Sequence, residues 1–256
     1  MSRNGRGETS LSGNRTVACR HCPLRTRPVF RPFSPRELDF MGRFKSGELV
    51  VEAGATVLME ETASPHLFTV LDGWTYRHKQ LEDGRRQVLN FALPGDLVGL
   101  QSAMMNDIQH TVTALTRTTL CVFQRDRIWT IFTDFPELSY SLTWLAAREE
   151  QLLDGHLLSL GQRTALERAA FLFLHLHDRA ERVGYAADGQ MRAPFTQVHL
   201  ADALGITNVH FSRTLKKLQD RNLLRWSEGM IYLKDRAQLE AIAAYEAPSA
   251  QTRPLI

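Results

Sequence analysis

Three cysteines, Cys19, Cys22 and Cys121, carry the most distinctive chemistry in this 256-residue sequence. Cys19-Arg-His-Cys22 is a C-x-x-C pair whose thiolates can share a soft metal or close a disulfide, and Cys121 lies far along the chain in the apolar run TTLCVF. Three thiols cannot form an internally paired disulfide framework, so they read as reduced thiols or as ligands. With a histidine they would complete a zinc site. In the alternative reading, Cys121 is one more buried strand residue and the pair is redox-responsive or idle. A second set, Asn208, Val209, Ser212, Arg213, Lys216 and Lys217, with Gln197 upstream, combines donors, cations and one small apolar group. Such a mixture suits the base edges and phosphates of a DNA major groove, with Ser212 and Arg213 reading bases and Lys216 and Lys217 holding phosphate.

The element that must position this second set is Phe195 to Leu218, FTQVHLADALGITNVHFSRTLKKL. Val198, Leu200, Ala201 and Leu204 give a first helix its apolar side, Gly205 permits a left-handed turn, and Thr207 can cap a second helix. Phe211, Leu215 and Leu218 recur at i, i+4 and i+7 and point inward, which leaves the polar set outward. The spacing predicts a helix-turn-helix. The sequel LQDRNLLRWSEGMIYL predicts two short strands around Glu228-Gly229, the hairpin of a winged helix.

Upstream, Met1 to Val17 is polar and without hydrophobic period, so a flexible tail is expected. Ser34-Pro35-Arg36-Glu37 has the form of a helix start with a capping box, and Leu38, Met41 and Phe44 would be its buried side. From about Lys45 to Asp126 short alternating runs separated by turns, among them Glu82-Asp83-Gly84-Arg85 and Pro94-Gly95-Asp96, predict a small antiparallel β-barrel. Such an interior closes over a ligand or is filled by its own side chains. From Ile128 to Leu160 the period is helical, and Leu138, Leu142, Leu145, Leu152 or Leu153, His156 and Leu160 lie near one stripe, which predicts pairing with a second copy. Thr164 to Glu181 is a further apolar helix. After Leu239 the stretch ending YEAPSAQTRPLI is expected to fray. The domains expected are a flexible segment with the cysteine pair over 1–30, a barrel over 31–135, a dimerisation helix over 136–162, a winged helix-turn-helix over 163–245 and a tail over 246–256. The fold class is α+β.

With 43% apolar and 23% charged residues the sequence is that of an ordinary globular protein rather than a disordered one. A net charge of +3 does not by itself select nucleic acid as partner, whereas the local cluster Arg213, Lys216, Lys217, Arg221 and Arg225 does. Neither a membrane-length apolar run nor a secretory signal is present, so a cytoplasmic location is expected. The residues show no Ser-His-Asp order with elbow glycines, no phosphate loop and no recognisable carboxylate pair, which argues against an enzyme. A reading from another class is a small-molecule or redox binding protein whose helix-turn-helix serves protein contacts.

Gly54, Leu71-Asp72-Gly73, Asp83-Gly84-Arg85, Phe91 with Pro94-Gly95-Asp96, TALERAAFLFLHL, and Ala201, Gly205 and Ser212-Arg213 occur in an order that resembles the CRP/FNR superfamily of bacterial transcription regulators. The resemblance implies a cyclic-nucleotide-binding-like barrel (jelly roll), a long dimer helix, a C-terminal winged helix-turn-helix, palindromic double-stranded DNA and RNA polymerase as partners. In members that bind cyclic AMP, a glutamate and an Arg-Ser or Arg-Thr pair hold the phosphate. Here those places match Asp96 and Gln109-His110, and without the arginine cyclic AMP is disfavoured, leaving room for another small anion. The FNR branch holds a [4Fe-4S] cluster on three N-terminal cysteines and one from the barrel. Cys19, Cys22 and Cys121 match three of these places, Pro28 stands near the missing one, and a fourth ligand would have to come from elsewhere. Val209 replaces the family's usual glutamate, which implies a half-site unlike the common one.

Overall fold

The computed structural model describes residues 16–247 and 252–256. Residues 1–15 of the tail expected over Met1 to Val17 lie outside them. Chain order begins with two 3-10 turns, Cys19–His21 and Pro23–Thr26, followed by helix α1, Pro35–Phe44. Ser34 and Glu37 make the reciprocal capping box expected from their spacing. The buried side of α1 is Glu37, Phe40, Met41 and Phe44, with Leu38 only half-buried. The shift from the expected face follows from non-local partners: Phe40 stacks on Phe135 at 4.1 Å, and Glu37 is held by Arg31 at 2.6 Å.

The barrel strands are β1 Lys45–Val51, β2 Thr56–Leu58, β3 His66–Asp72, β4 Thr75–Gln80, β5 Arg86–Ala92, β6 Leu97–Val98, β7 Thr111–Ala114 and β8 Thr118–Gln124, with a short helix α2, Leu100–Met105, after β6. They form two four-stranded antiparallel sheets ordered β1-β8-β3-β6 and β2-β7-β4-β5, a jelly roll. Between the sheets Phe68, Val70, Val98, Val112 and Leu120 are buried, so this part of the interior is filled by its own side chains.

Helices α3, Trp129–Asp134, and α4, Pro136–Gln162, follow. The stripe expected to meet a second copy faces this protomer instead. Leu138 and Leu142 are buried, and Leu145 packs on the main core. His156 Nδ1 lies 3.0 Å from the Leu89 carbonyl, so this histidine is turned to the barrel rather than to an interface. At 100° per residue the exposed apolar positions Ala146, Leu153 and Leu157 sit about 80° further round the helix.

The C-terminal unit comprises α5 Ala165–Arg182, β9 Ala186–Ala187, β10 Gln190–Arg192, α6 Gln197–Leu204, α7 Asn208–Asp220, β11 Leu224–Ser227, β12 Met230–Leu233 and α8 Arg236–Ala243. Its sheet runs β11-β12-β10-β9. Thr164 caps α5 with a second capping box. On α5 the buried Asp178 accepts from Arg236 at 2.7 and 3.0 Å and from the Tyr245 hydroxyl at 2.8 Å, which fastens the end of α8 to the core.

Both ends differ from the expectation of loose segments. The Val17 amide donates to Glu48 at 2.8 Å and Lys45 donates to the Val17 carbonyl at 2.7 Å, so the residues before and around the cysteine pair are folded onto the barrel. At the other end α8 continues beyond Leu239, Tyr245 is buried, and residues 252–256 pack on the barrel.

Candidate nucleic-acid interface and barrel cleft

The reading unit is set by short-range chemistry. Thr196 Oγ1 caps α6 by accepting from His199 N, while His199 Nδ1 accepts from Thr196 N at 3.1 Å, so a histidine takes the usual glutamate's part in the box. Gly205 closes α6 in the left-handed region at φ 63°, where a β-carbon is unfavourable. Thr207 Oγ1 then caps α7 by accepting from His210 N at 3.2 Å. Leu200, Ala201, Leu204, Phe211, Leu215 and Leu218 are buried as their spacing requires. Val198 departs from that spacing: it is 45% exposed beside the half-buried Gln197 at the open end of α6.

With one face of α7 fixed inward, Asn208, Val209, Ser212, Arg213, Lys216 and Lys217 all stand exposed on the other. The structure therefore brings these six together on one helix surface, with Gln197 on the neighbouring helix. The wing follows where Glu228 and Gly229 turn with φ of 54° and 73°, a type I′ geometry that joins β11 to β12. Arg225 on β11 adds an exposed cation beside it. The unit rests on the barrel through α6. Arg86 meets Asp202 at 2.6 Å, the Gln87 amide donates to the Ala203 carbonyl at 3.1 Å, and the Tyr76 and His199 rings lie 5.0 Å apart.

A cleft of about 950 Å³ runs between the barrel and α4. Asp96 and His110 line it; Gln109 is exposed outside it, its amide turned to the Asp107 carbonyl. Asp96 does not face an incoming anion. Its carboxylate accepts from Arg179 at 2.5 Å, Arg253 at 2.7 Å and the Leu93 amide at 2.7 Å, and these cations hold its carboxyl below the usual range although burial opposes it. His110 Nε2 accepts from Arg77 Nε at 3.0 Å, and Arg77 is paired in turn with Glu149 of α4. Burial and then the Arg77 cation push His110 down to about 3, so it is neutral at pH 7 and acts as an acceptor. The Arg77–Glu149 pair, with Asn90 donating to the same carboxylate at 3.1 Å, joins barrel to α4 and was invisible in the sequence because its members lie on separate elements.

The N-terminal segment folds back so that Cys19 and Cys22 approach Cys121 on β8. Cys121 is buried on β8 opposite Glu48, and burial pushes its thiol up to about 12, where it is protonated. Cys19 Sγ donates to the Met41 carbonyl at 3.5 Å, and burial raises its thiol too. Near the thiols stands the buried Lys45–Glu48 pair at 2.6 Å, a cation that already answers negative charge there. Among the described residues the one set of three or more donor groups drawn within 4.8 Å of one another is His177, Asp178 and Glu181, not the cysteines. In that set Asp178 is already engaged by Arg236 and Tyr245. Cys19, Cys22 and Cys121 belong to one core and feel one another's charge, but they are not drawn within 4.8 Å of one another as a set, and among the described residues no fourth donor joins them to complete tetrahedral zinc or a [4Fe-4S] cluster.

Comparison with known proteins agrees with this geometry. Residues 48–135 match the cyclic nucleotide-binding domain family, and residues 167–242 match the Crp-like helix-turn-helix domain family. The chain is 32% identical over 232 residues, 88% of its length and 94% of the relative's, to the nitrogen fixation regulation protein FixK of Bradyrhizobium diazoefficiens. The chain belongs to the CRP/FNR superfamily of transcription regulators. It is also 29% identical over 224 residues to the transcriptional activatory protein AadR of Rhodopseudomonas palustris, covering 88% of this chain and 92% of that one. The solved structure of FixK2 from Bradyrhizobium japonicum matches with a TM-score of 0.71 at 28% identity, over 78% of this chain and 98% of that chain. As a CRP/FNR-type regulator the protein binds DNA through the helix-turn-helix described above. Among the described residues no helix is long and apolar enough to cross a membrane.

Proposed function

We propose that the protein is a homodimeric cytoplasmic regulator, without enzymatic activity, that reads a palindromic double-stranded DNA site and acts on RNA polymerase. The observation that carries this reading is the single exposed face of α7. There Arg213 and Ser212 reach base edges with Asn208 and Val209, while Lys216 and Lys217 hold phosphate, and Gln197 joins them from the start of α6. Val209, 61% exposed, presents methyl groups that favour thymine where a glutamate would accept from cytosine. The dimer seam in this reading is the Ala146, Leu153 and Leu157 face of α4, because the other face is occupied by the protomer's own barrel.

The signal reaches α4 through the cleft. A small anion bound there would draw Arg77 from Glu149 and so act directly on the dimer helix. Asp96, an anion held by two arginines, cannot donate to a cyclic phosphate, and His110, neutral with Nε2 accepting from Arg77, offers only an uncharged N–H at Nδ1 where a guanidinium would supply a charged bidentate contact, which supports an effector other than cyclic AMP. The unfilled ligand set supports a signal that does not pass through a cluster on Cys19, Cys22 and Cys121. Selection of bound sequences from a random DNA pool tests the reading. It should return a palindrome whose half-sites lie about 34 Å apart, bound with steep salt dependence. Salt-insensitive binding, or no enriched sequence, would instead favour a helix-turn-helix used for protein contacts.

A further inference from the structure

Residues 252–256 cross back from the DNA-binding unit to the barrel. The Arg253 amide donates to the Val29 carbonyl at 2.7 Å, and the Arg31 amide donates to the Arg253 carbonyl at 2.8 Å, so Phe30 and Arg253 form a parallel β-bridge. The Arg253 guanidinium reaches Asp96 at 2.7 Å and the Gly95 carbonyl at 2.6 Å while lying 5.3 Å from the centre of the Phe30 ring. Beyond it Leu255 and Ile256 are only 6% and 5% exposed, and the Thr69 hydroxyl donates to the Ile256 carbonyl. Main-chain pairing, one charged anchor and buried aliphatic side chains are the means by which a folded domain captures an extended peptide.

We propose that the barrel face formed by Val29–Arg31, Thr69 and the Gly95–Asp96 loop is a peptide-docking groove, and that its occupant is the segment Thr252–Ile256 of the same chain. The groove is shaped for close backbone approach. Gly95 has φ +88°, and a β-carbon there would overlap the Phe30 ring, so loop and ring fit only with glycine. Its charge selects the occupant: the buried Asp96 carboxylate accepts a guanidinium from α5 on one side and from the segment on the other. The docked segment forms part of the cleft wall, because Arg253, Val29 and Asp96 all line it. It adds to the attachments of the DNA-binding unit to the barrel, among them Arg86–Asp202 of α6, Arg179–Asp96 of α5 and the Gly73 amide donating to the Tyr185 hydroxyl at 2.8 Å. An event in the cleft that draws Asp96 away from Arg253 would release this strap and open the cleft wall that it forms.

Hydrogen exchange of the Arg31 amide, whose acceptor is the Arg253 carbonyl, reports the docked state directly. Exchange there should be at least tenfold faster in Leu255→Asp and Arg253→Glu variants, and in a chain shortened after residue 247, than in the full chain. Peptide QTRPLI added at millimolar concentration to the shortened chain should restore protection, and the same peptide carrying Arg253→Glu should not. If the shortened chain does not fold, the two point variants decide alone. Equal Arg31 exchange in the full chain and the variants overturns the groove, as does restoration by the charge-reversed peptide. Protection that vanishes on dilution of the full chain overturns the same-chain assignment in favour of a segment supplied by a second copy.

Discussion

Replacement of Leu157 by Asp should separate the dimer without unfolding the protomer. Leu157 is 71% exposed and Leu158 54%, on a helix whose opposite side faces the protomer's own barrel and cleft, so a second copy is the partner able to cover them. Full burial of a leucine contributes about 1.5–3 kcal/mol, and a two-fold interface counts each residue twice, giving about 3–6 kcal/mol from Leu157 alone. The Leu157→Asp substitution would remove that contribution and bring two carboxylates together in an apolar seam. The dimer dissociation constant should therefore rise by about 10²–10⁴-fold. Sedimentation equilibrium across micromolar concentrations measures this shift, with affinity for a full palindrome falling in parallel and the thermal midpoint of the protomer little changed. Leu142→Asp is the contrasting variant. Leu142 is buried against the protomer's own core, so its replacement should lower the thermal midpoint first. A Leu157→Asp protein with a dissociation constant within threefold of the parent would show that this face is not the seam.

Arg213→Ala should weaken specific DNA binding by about 1–3 kcal/mol and relax selection at one position of each half-site, whereas Lys216→Ala should weaken all sequences alike and lower the salt slope by about one. Pool selection with each variant distinguishes these outcomes. His110 makes folding sensitive to acid: the folded side chain stays neutral down to about 3 while the unfolded one takes a proton near 6.5, so stability present above pH 6.5 is lost as pH falls towards 3. Its share between pH 7 and 5 is about 2 kcal/mol, and urea midpoints of His110→Gln should show a correspondingly shallower pH slope; an unchanged slope would contradict the assignment. Asp178→Ala leaves Arg236 and the Tyr245 hydroxyl without their acceptor, and should destabilise the protein by about 3 kcal/mol, the low end for a broken buried pair because Arg236 remains partly solvated. Equilibrium unfolding checks this value.

The parts of this molecule that were legible in its sequence are those fixed by residues a few positions apart. Gly205 between two apolar periods, Thr207 before α7 and Glu228-Gly229 between two short strands each impose a local backbone geometry, and the reading face of α7 follows by exclusion once Phe211, Leu215 and Leu218 point inward. Periodicity is weaker on α4, where leucines occur on both sides. Leu138 and Leu142 face the barrel while Leu153, Leu157 and Leu158 face outward, and a stripe of leucines does not say which of two apolar surroundings it meets. Pairings between distant elements leave no spacing signal. Arg179 reaches Asp96 across 83 positions and Arg77 reaches Glu149 across 72, so Asp96 looked like a ligand contact when its charge was already answered within the fold. The same reason hid the strap. YEAPSAQTRPLI has no hydrophobic period and would be solvated on its own terms; its residues 252–256 dock because the barrel supplies backbone partners at Val29 and Arg31, a buried carboxylate for Arg253 and an apolar bed for Leu255 and Ile256. Order in such a segment is a property of the surface that receives it, and sequence reasoning becomes blind where the receiving surface is assembled from three separate stretches of chain.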